Sequence, residues 1–429
     1  MTGRGSFALR LAAIAVFALA LRLVYALVVM RHVAASGDGY QFHLLAEIIA
    51  NKGQYLEPLR GPVHIPTAEK PPLYPAYLAL FNLLGADSYA WHRAASCLLG
   101  AGMTAVVGLL GRRVDGERAG LIAAGLAAVY PMLVALDGSV RSESLYVLLV
   151  ALALLFAYRL YDGGRAADAA ALGVLIGLAA LTRSEALLLL PLLALPVAWR
   201  AGPGRGRLIA AACIGLAVVA GPWQVRNLLT FDRPVALTTN EGGLLAGANC
   251  EPAYYGDLMG NWPCYTPIRA TRERDESDVS WLLRERALDY AGDHAGRVPA
   301  VVGVRVLRTF ALWRPRQQAA LDATESERNL RVQQVGVVCL WVLVLLAVAG
   351  ALALRSYERP LWPLVAPVVM VIVATALTWG AGRFRAAADV SLVVLAAVAI
   401  NHRLRTRADR RRRTPGASHG GSAEPIAPA

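Results

Sequence analysis

Long apolar runs, separated by short Arg-rich connections, dominate the chain. Runs near 7–29, 90–110, 119–136, 144–160, 168–182, 185–199, 208–222, 333–354, 361–379 and 387–401 approach the length a helix needs to cross a bilayer, about 20 residues. They predict an all-α polytopic membrane protein of about ten transmembrane helices. Two long segments, 31–89 and 223–332, interrupt the series and read as large extracytoplasmic loops carrying interfacial helices. In the first, "PPLYPAYLALFNLLG" is short and opens on Pro71–Pro72, so it is expected to lie along or dip into the interface. In the second, Ser280 to Tyr290 has apolar residues at helical spacing. Val298 to Trp313 then sets an apolar face against Arg305 and Arg308, as an interfacial helix would. Trp281 and Trp313 suit the headgroup region.

The charges between the runs give the orientation. With Arg4 and the N-terminus in the cytoplasm, the inner connections are "GRRVDGER", "RLYDGGR", "RAGPGRGR" and "RSYER", followed by the tail "HRLRTRADRRRR". All are Arg-rich, as the positive-inside rule requires. The first run exceeds a signal peptide's apolar core of about 7–15 residues and contains Arg10 and Arg22, so it is expected to remain as the first span. The domain expectation is one membrane domain over 1–401 and a basic, disordered cytoplasmic tail over 402–429, the last residues being rich in Gly, Pro, Ser and Ala.

Composition agrees with a plasma-membrane protein. The chain is 56% hydrophobic and 17% charged, against about 25% charged in soluble domains. Net charge is +13, and Lys52 and Lys70 are the only lysines. The basic residues gather at membrane boundaries and in one tail, so they read as topology and no nucleic-acid partner is expected. Cys97, Cys213 and Cys339 fall within apolar runs. Cys250 and Cys264 share the second outer loop, where a disulfide is expected; two free thiols or a metal site are the alternatives, and two Cys without His make poor zinc ligation.

The informative cations defy the orientation rule. Arg141, Arg183, Arg226, Arg383 and Arg385 fall at outer helix ends, and Lys70 lies outside beside Glu69. Snorkelling, with pairing to Glu143, Glu185 and Asp389, accounts for any one of them. As a set they point to an anion site for a lipid phosphate, since Arg contacts phosphate bidentately and Lys supplies a compact charge. Near them "SGDG" presents Asp38, which reads either as a general base at the membrane surface or as an interfacial turn capping the next helix. Tyr40 and His43 on the same stretch are further candidate contacts to the sugar or phosphate. His43 and Glu47 share a helix face, a spacing that suits packing better than metal ligation. Asp137 or Glu143 could supply a second acid, or a partner for Arg141.

In order, "GDGYQFHLLAEIIANKGQY", "EKPPLYPAYLALF", "RSESLYVLLVALALLFAYR", "GLAALTRSEALLLLP", "GPWQVRNLLTFDRPVALTTNEGGLLAGANC" and "GAGRFRAAADVSLVVLAA" resemble the GT-C membrane glycosyltransferases. The resemblance covers about 7–401. It is to the branch that groups family 39 protein mannosyltransferase-like enzymes with the aminoarabinose and galacturonosyl transferases of lipopolysaccharide, in an actinobacterial style. It implies an inverting enzyme of the extracytoplasmic face that takes a sugar from a polyprenyl-phosphate carrier. Asp38 would occupy the acid position of the first outer loop and deprotonate the acceptor hydroxyl. Lys70 in "EKPPL" would contact the carrier phosphate, Arg383 and Arg385 would stabilise its developing charge, and Glu143 would match the second outer acid. Gly39 follows Asp38 where the protein mannosyltransferases often place a second acidic residue, which weakens the case for a protein acceptor. No soluble domain follows the last span, so a small acceptor, a lipid or a polysaccharide end is expected.

Two other readings stand beside this one. A transporter or flippase of lipid-linked sugars would also bind an anion, but with residues at the bilayer midplane on broken helices. A membrane glycan ligase or polymerase would use a similar basic patch on a pyrophosphate-linked donor.

Overall fold

A computed structural model describes residues 2–59, 65–201, 204–265 and 274–413; the expected disorder of 414–429 lies outside these residues. Regular structure among them is helical. The chain runs α1 (Thr2–Val24), α2 (Gly37–Lys52), α3 (Leu73–Leu83), α4 (Tyr89–Val129), α5 (Pro131–Asp137), α6 (Glu143–Gly163), α7 (Ala166–Ala180), α8 (Leu195–Arg200) and α9 (Arg205–Thr230). It continues with α10 (Glu241–Ala248), α11 (Glu251–Tyr254), α12 (Glu276–Asp293), α13 (Val298–Thr309), α14 (Pro315–Glu325), α15 (Leu330–Ser356), α16 (Trp362–Leu377) and α17 (Ala386–Arg413).

Among the described residues six helices are long and apolar enough to cross a membrane: Gly5–Val29, α4, α6, α9, α15 and Gly382–Ala408. Shorter apolar helices are α3, α7 and α16. The expected runs are thus helical, but they are not ten equal columns. The run 185–199 becomes a 3-10 turn at Ser184–Leu188, a π turn at Leu190–Ala194 and α8. Pro191 and Pro196 explain this, because each removes a backbone donor and its ring crowds the preceding turn. The expected inner loop 111–118 tightens to a reversal at Asp115–Gly116, where Gly116 has φ +87°, so α4 is two helices folded side by side: a Cβ on Gly120 would lie 2.5 Å from the Gly108 carbonyl oxygen. A residue without a Cβ takes that conformation without strain.

The α17 span is 89% buried, the α1 span 22%. The central column is therefore α17, and α1 stands at the periphery. Small residues let neighbouring helices close up. A Cβ on Gly350 of α15 would sit 1.9 Å from the Leu395 carbonyl oxygen of α17, so that contact requires glycine.

The basic stretch 402–413 continues α17 instead of starting a disordered tail. Asn401 and Arg405 both bond Asp115, at 2.7 and 2.8 Å, and Arg is a good helix former. At this end Arg113 and Arg359 share Asp162 at 2.8 and 2.9 Å. The Arg-rich turns thus meet at one end of the bundle.

At the other end, α2 and α3 pack together and α10–α14 cover the bundle. The expected interfacial face of α13 is corrected. Arg305 and Arg308 are buried, bonding the carbonyls of Ala248 and Ala376 and those of Met259 and Asp257. Their guanidiniums find enough backbone acceptors to be carried inward and hold the segment 223–332 onto α16. Cys250 and Cys264 are joined by a disulfide in the same loop.

Candidate active site

Asp38 sits in the first turn of α2, but not as a cap. The N-cap is Ser36, whose backbone N–H and hydroxyl donate to Glu327 Oε1 at 3.0 and 3.1 Å. Gly37 has φ +47°, which turns the chain sharply into the helix. A Cβ on Gly39 would lie 2.4 Å from the Tyr89 hydroxyl, so a second acid after Asp38 would collide with Tyr89.

The Asp38 carboxylate, 27% exposed, faces three cations from three segments. Lys70 Nζ lies 2.8 Å from Oδ1, while Arg141 Nη1 and Arg383 Nη1 each lie 2.8 Å from Oδ2. Burial pushes this carboxyl up, but Lys70, Arg141 and Arg383 outweigh it and hold it well below the usual carboxylate range. Burial disfavours the Lys70 ammonium, yet Asp38 and Glu69 more than compensate and raise its pKa, so it stays charged.

Each cation is braced. Arg141, 2% exposed, also donates to the Glu325 carbonyl. The Lys70 carbonyl accepts from the Tyr55 hydroxyl at 2.8 Å. Just upstream, Arg226 donates to the Thr67 carbonyl at 2.9 Å, and Glu276 accepts from Thr67 Oγ1 at 2.6 Å and from the Ala68 N–H at 3.0 Å. Arg383 sits in a 3-10 turn at Gly382–Arg385, at the head of α17; the Gly382 N–H donates to Asp322 at 3.1 Å.

A second acid lies behind the first. Glu143 is 2% exposed, pairs with Arg183 Nη1 at 2.6 Å and lies 4.0 Å from Arg383 Nε. Arg183 also meets Glu185 at 2.5 Å. Arg383 therefore stands between the two acids.

The other candidates fall elsewhere. Arg226 positions the Lys70 segment and makes no contact with Asp38. Arg385 is buried on Asp389 at 2.9 Å and the Thr309 carbonyl at 2.6 Å, so its charge is spent inside the bundle. His43 turns to His92 at 3.1 Å and to Glu47 at 3.4 Å. Tyr40 is exposed. Asp137 is the partner of Arg22 at 2.7 Å, not of Arg141. Among the described residues one carboxylate trio, Asp232, Asp275 and Asp278, has metal-like spacing. Asp275 caps α12 and Asp278 pairs with Arg233, which accounts for both without an ion.

Sequence reasoning missed Glu325 and Glu327. Glu325 meets Arg383 Nη2 at 3.2 Å, and Glu327 accepts from Tyr89 at 2.8 Å. The run "TESERN" before an apolar span, at the same end as the outer cations, was the available signal.

Residues 69–223 match the family described as dolichyl-phosphate-mannose-protein mannosyltransferase, a minority of the chain. No curated protein shows significant similarity. The oligosaccharyltransferase AglB from Archaeoglobus fulgidus, solved with an inhibitory peptide and a dolichol-phosphate, superposes over 97% of this chain and 52% of its own, with TM-score 0.55 and 16% identity. The fold is GT-C. A second structure of the Archaeoglobus fulgidus oligosaccharyltransferase, tethered to an acceptor peptide, gives TM-score 0.57 at 15% identity over 95% of this chain and 51% of its own. The chain spans about half the length of those enzymes. ArnT from Cupriavidus metallidurans, bound to undecaprenyl phosphate, aligns over 95% of this chain and 80% of its own, with TM-score 0.43 and 17% identity.

Proposed function

We propose that the protein is an integral-membrane glycosyltransferase that moves a sugar from a polyprenyl-phosphate carrier to an extracytoplasmic acceptor, with inversion. One observation carries this reading: a partly exposed carboxylate is surrounded by three cations gathered from α2's neighbours at the end of the bundle opposite the Arg-rich turns. The GT-C fold and the dolichyl-phosphate chemistry in the descriptions of the matched family and the archaeal enzyme support it.

In the chain alone, Asp38 serves as the anion of the cluster. A carrier phosphate entering there draws Lys70 and Arg383 onto its oxygens and leaves the carboxylate free to accept a proton. An acceptor hydroxyl then donates its proton to Asp38 while its oxygen attacks the anomeric carbon from the face opposite the phosphate. The carbon–oxygen bond to phosphate breaks, and its electron pair passes to the phosphate oxygen. The leaving phosphate gains a full negative charge, so cations beside it stabilise the transition state more than the ground state. Glu143 and Arg183 hold Arg383 from behind. Among acceptors, a lipid or glycan hydroxyl suits the site better than a peptide, because Gly39 leaves no second acid beside Asp38.

The test is transfer of labelled sugar from a panel of polyprenyl-phosphate sugars, in membranes carrying wild type or Asp38→Asn. Transfer by wild type alone is expected. Equal transfer by both overturns the role of Asp38, and lipid flipping without transfer by either gives the transporter reading its place.

A further inference from the structure

Next to the Asp38 cluster lies a cavity of about 220 Å³, lined among others by Asn261, Trp262, Leu321, Thr324, Glu325 and Trp379. Leu321, Thr324 and Glu325 have i, i+3, i+4 spacing, so they form one face of α14. Trp379 is 1% exposed, and its indole N–H finds no partner among the described residues. Trp262 stacks on Trp379 with ring centroids 5.8 Å apart. Its own N–H is already donated to the Gly243 and Leu244 carbonyls, so Trp262 is a fixed wall. The rim is pinned as well, because Pro263 precedes Cys264 of the disulfide.

The cavity connects to the proposed phosphate site through a single side chain. Arg383 holds Asp38 through Nη1 at 2.8 Å and Glu325 through Nη2 at 3.2 Å, and its guanidinium lies 5.5 Å from the Trp379 ring centre. Burial pushes the Glu325 carboxyl up against the pull of Arg383. The cavity is smaller than the roughly 300–1,000 Å³ that enclose drug-sized ligands. It therefore has room for one small ring.

We propose that this cavity is the subsite for the transferred sugar: one monosaccharide ring, joined to the carrier phosphate on the cation cluster. Its hydroxyls bond Asn261 and Glu325, and its apolar face lies against the indoles. This rests on the reading of the Asp38 cluster as a phosphate site. The donor sugar fits better than an acceptor sugar because Arg383 touches both the phosphate position and the cavity wall. Sugar choice is then set by hydrogen bonds, which reject a ring lacking the matching hydroxyl more strongly than apolar packing would.

The test is binding of bare decaprenyl phosphate and of decaprenyl-phosphate mannose, glucose, galactose and arabinose to the full chain in nanodiscs. Thr324 is exposed, so Thr324→Trp fills the cavity mouth without disturbing the core. Wild type is expected to bind at least one sugar-bearing lipid about tenfold or more tightly than bare carrier, equivalent to about 1.4 kcal/mol. Thr324→Trp should lose that preference and keep its bare-carrier affinity, while Thr324→Ser keeps both. The proposal is overturned if no sugar improves binding or if the preference survives Thr324→Trp. It is equally overturned if Thr324→Trp weakens bare-carrier binding, since the cavity would then belong to the phosphate site. If wild type binds no bare carrier, the phosphate reading itself fails and takes the subsite with it.

Discussion

The chain contains two acid–cation constellations that look alike on paper and behave differently. Asp137 and Arg22 are both buried, and they meet at 2.7 Å. The remaining guanidinium donors of Arg22 go to the carbonyls of Ala18, Ala127 and Ala128. One charge meets one charge, and the backbone takes up the other donors. Asp38 instead is 27% exposed and meets three cations. The first arrangement is closed and locks α1 to α4 and α5. The second is a shared network, because Glu69, Glu325 and Glu327 also lie within 4.0 Å of those cations, and its central carboxylate stays open to solvent. Shared partners and access to solvent, not the presence of an ion pair, distinguish the two.

The largest expected effect falls on the open cluster. Asp38→Asn should lower sugar transfer by about 10²–10⁴-fold, the range of a lost general base, with a lesser loss of thermal stability because the anion shared by Lys70, Arg141 and Arg383 is gone; labelled transfer and a melting curve check both halves. Arg22→Met should do the reverse. It strands Asp137 and costs about 3–5 kcal/mol of stability, whereas Arg22→Met with Asp137→Leu should recover most of it, measured as unfolding in detergent. If Arg22→Met left the melting curve in place, the contrast between brace and site would collapse.

A smaller change is expected from Lys70→Ala. Losing one charge-assisted bond of about 1.5–3 kcal/mol should raise the donor KM by roughly tenfold or more. The pH profile sharpens the comparison further. Because Asp38 is held below the usual carboxylate range, the stabilisation from its cations is fully present above about pH 4. It is lost as pH falls through the depressed folded value. The acidic limb of kcat/KM should therefore lie below the ordinary carboxylate range, and Arg141→Gln should move it upward. The smallest effect should come from Tyr40→Ala, within about 0.5 kcal/mol, because the side chain is exposed and outside the cluster.

Much of this was legible in residue order. Apolar runs of bilayer length had to be helices, since no other open structure satisfies the backbone in lipid. Positive charge in the short turns gave the two ends, and cations placed against that rule gave Lys70, Arg141, Arg183 and Arg383 as residues needing an explanation. What residue order could not give was partnership. Arg385 lies two residues from Arg383 and looked equivalent, yet the 3-10 turn sends one to Asp389 and the other to Asp38. Arg305 and Arg308 looked like an outward face, but the tertiary fold offered them buried carbonyls. Glu325 and Trp379 are distant in the chain and became neighbours only when α14 packed over the head of α17. The sequence by itself determined which segments form apolar helices and which charges flank them, because the cost of burying backbone and charge is local. The tertiary structure alone decided which charges meet, because an ion pair depends on ångström-scale distances between segments that sequence spacing leaves free.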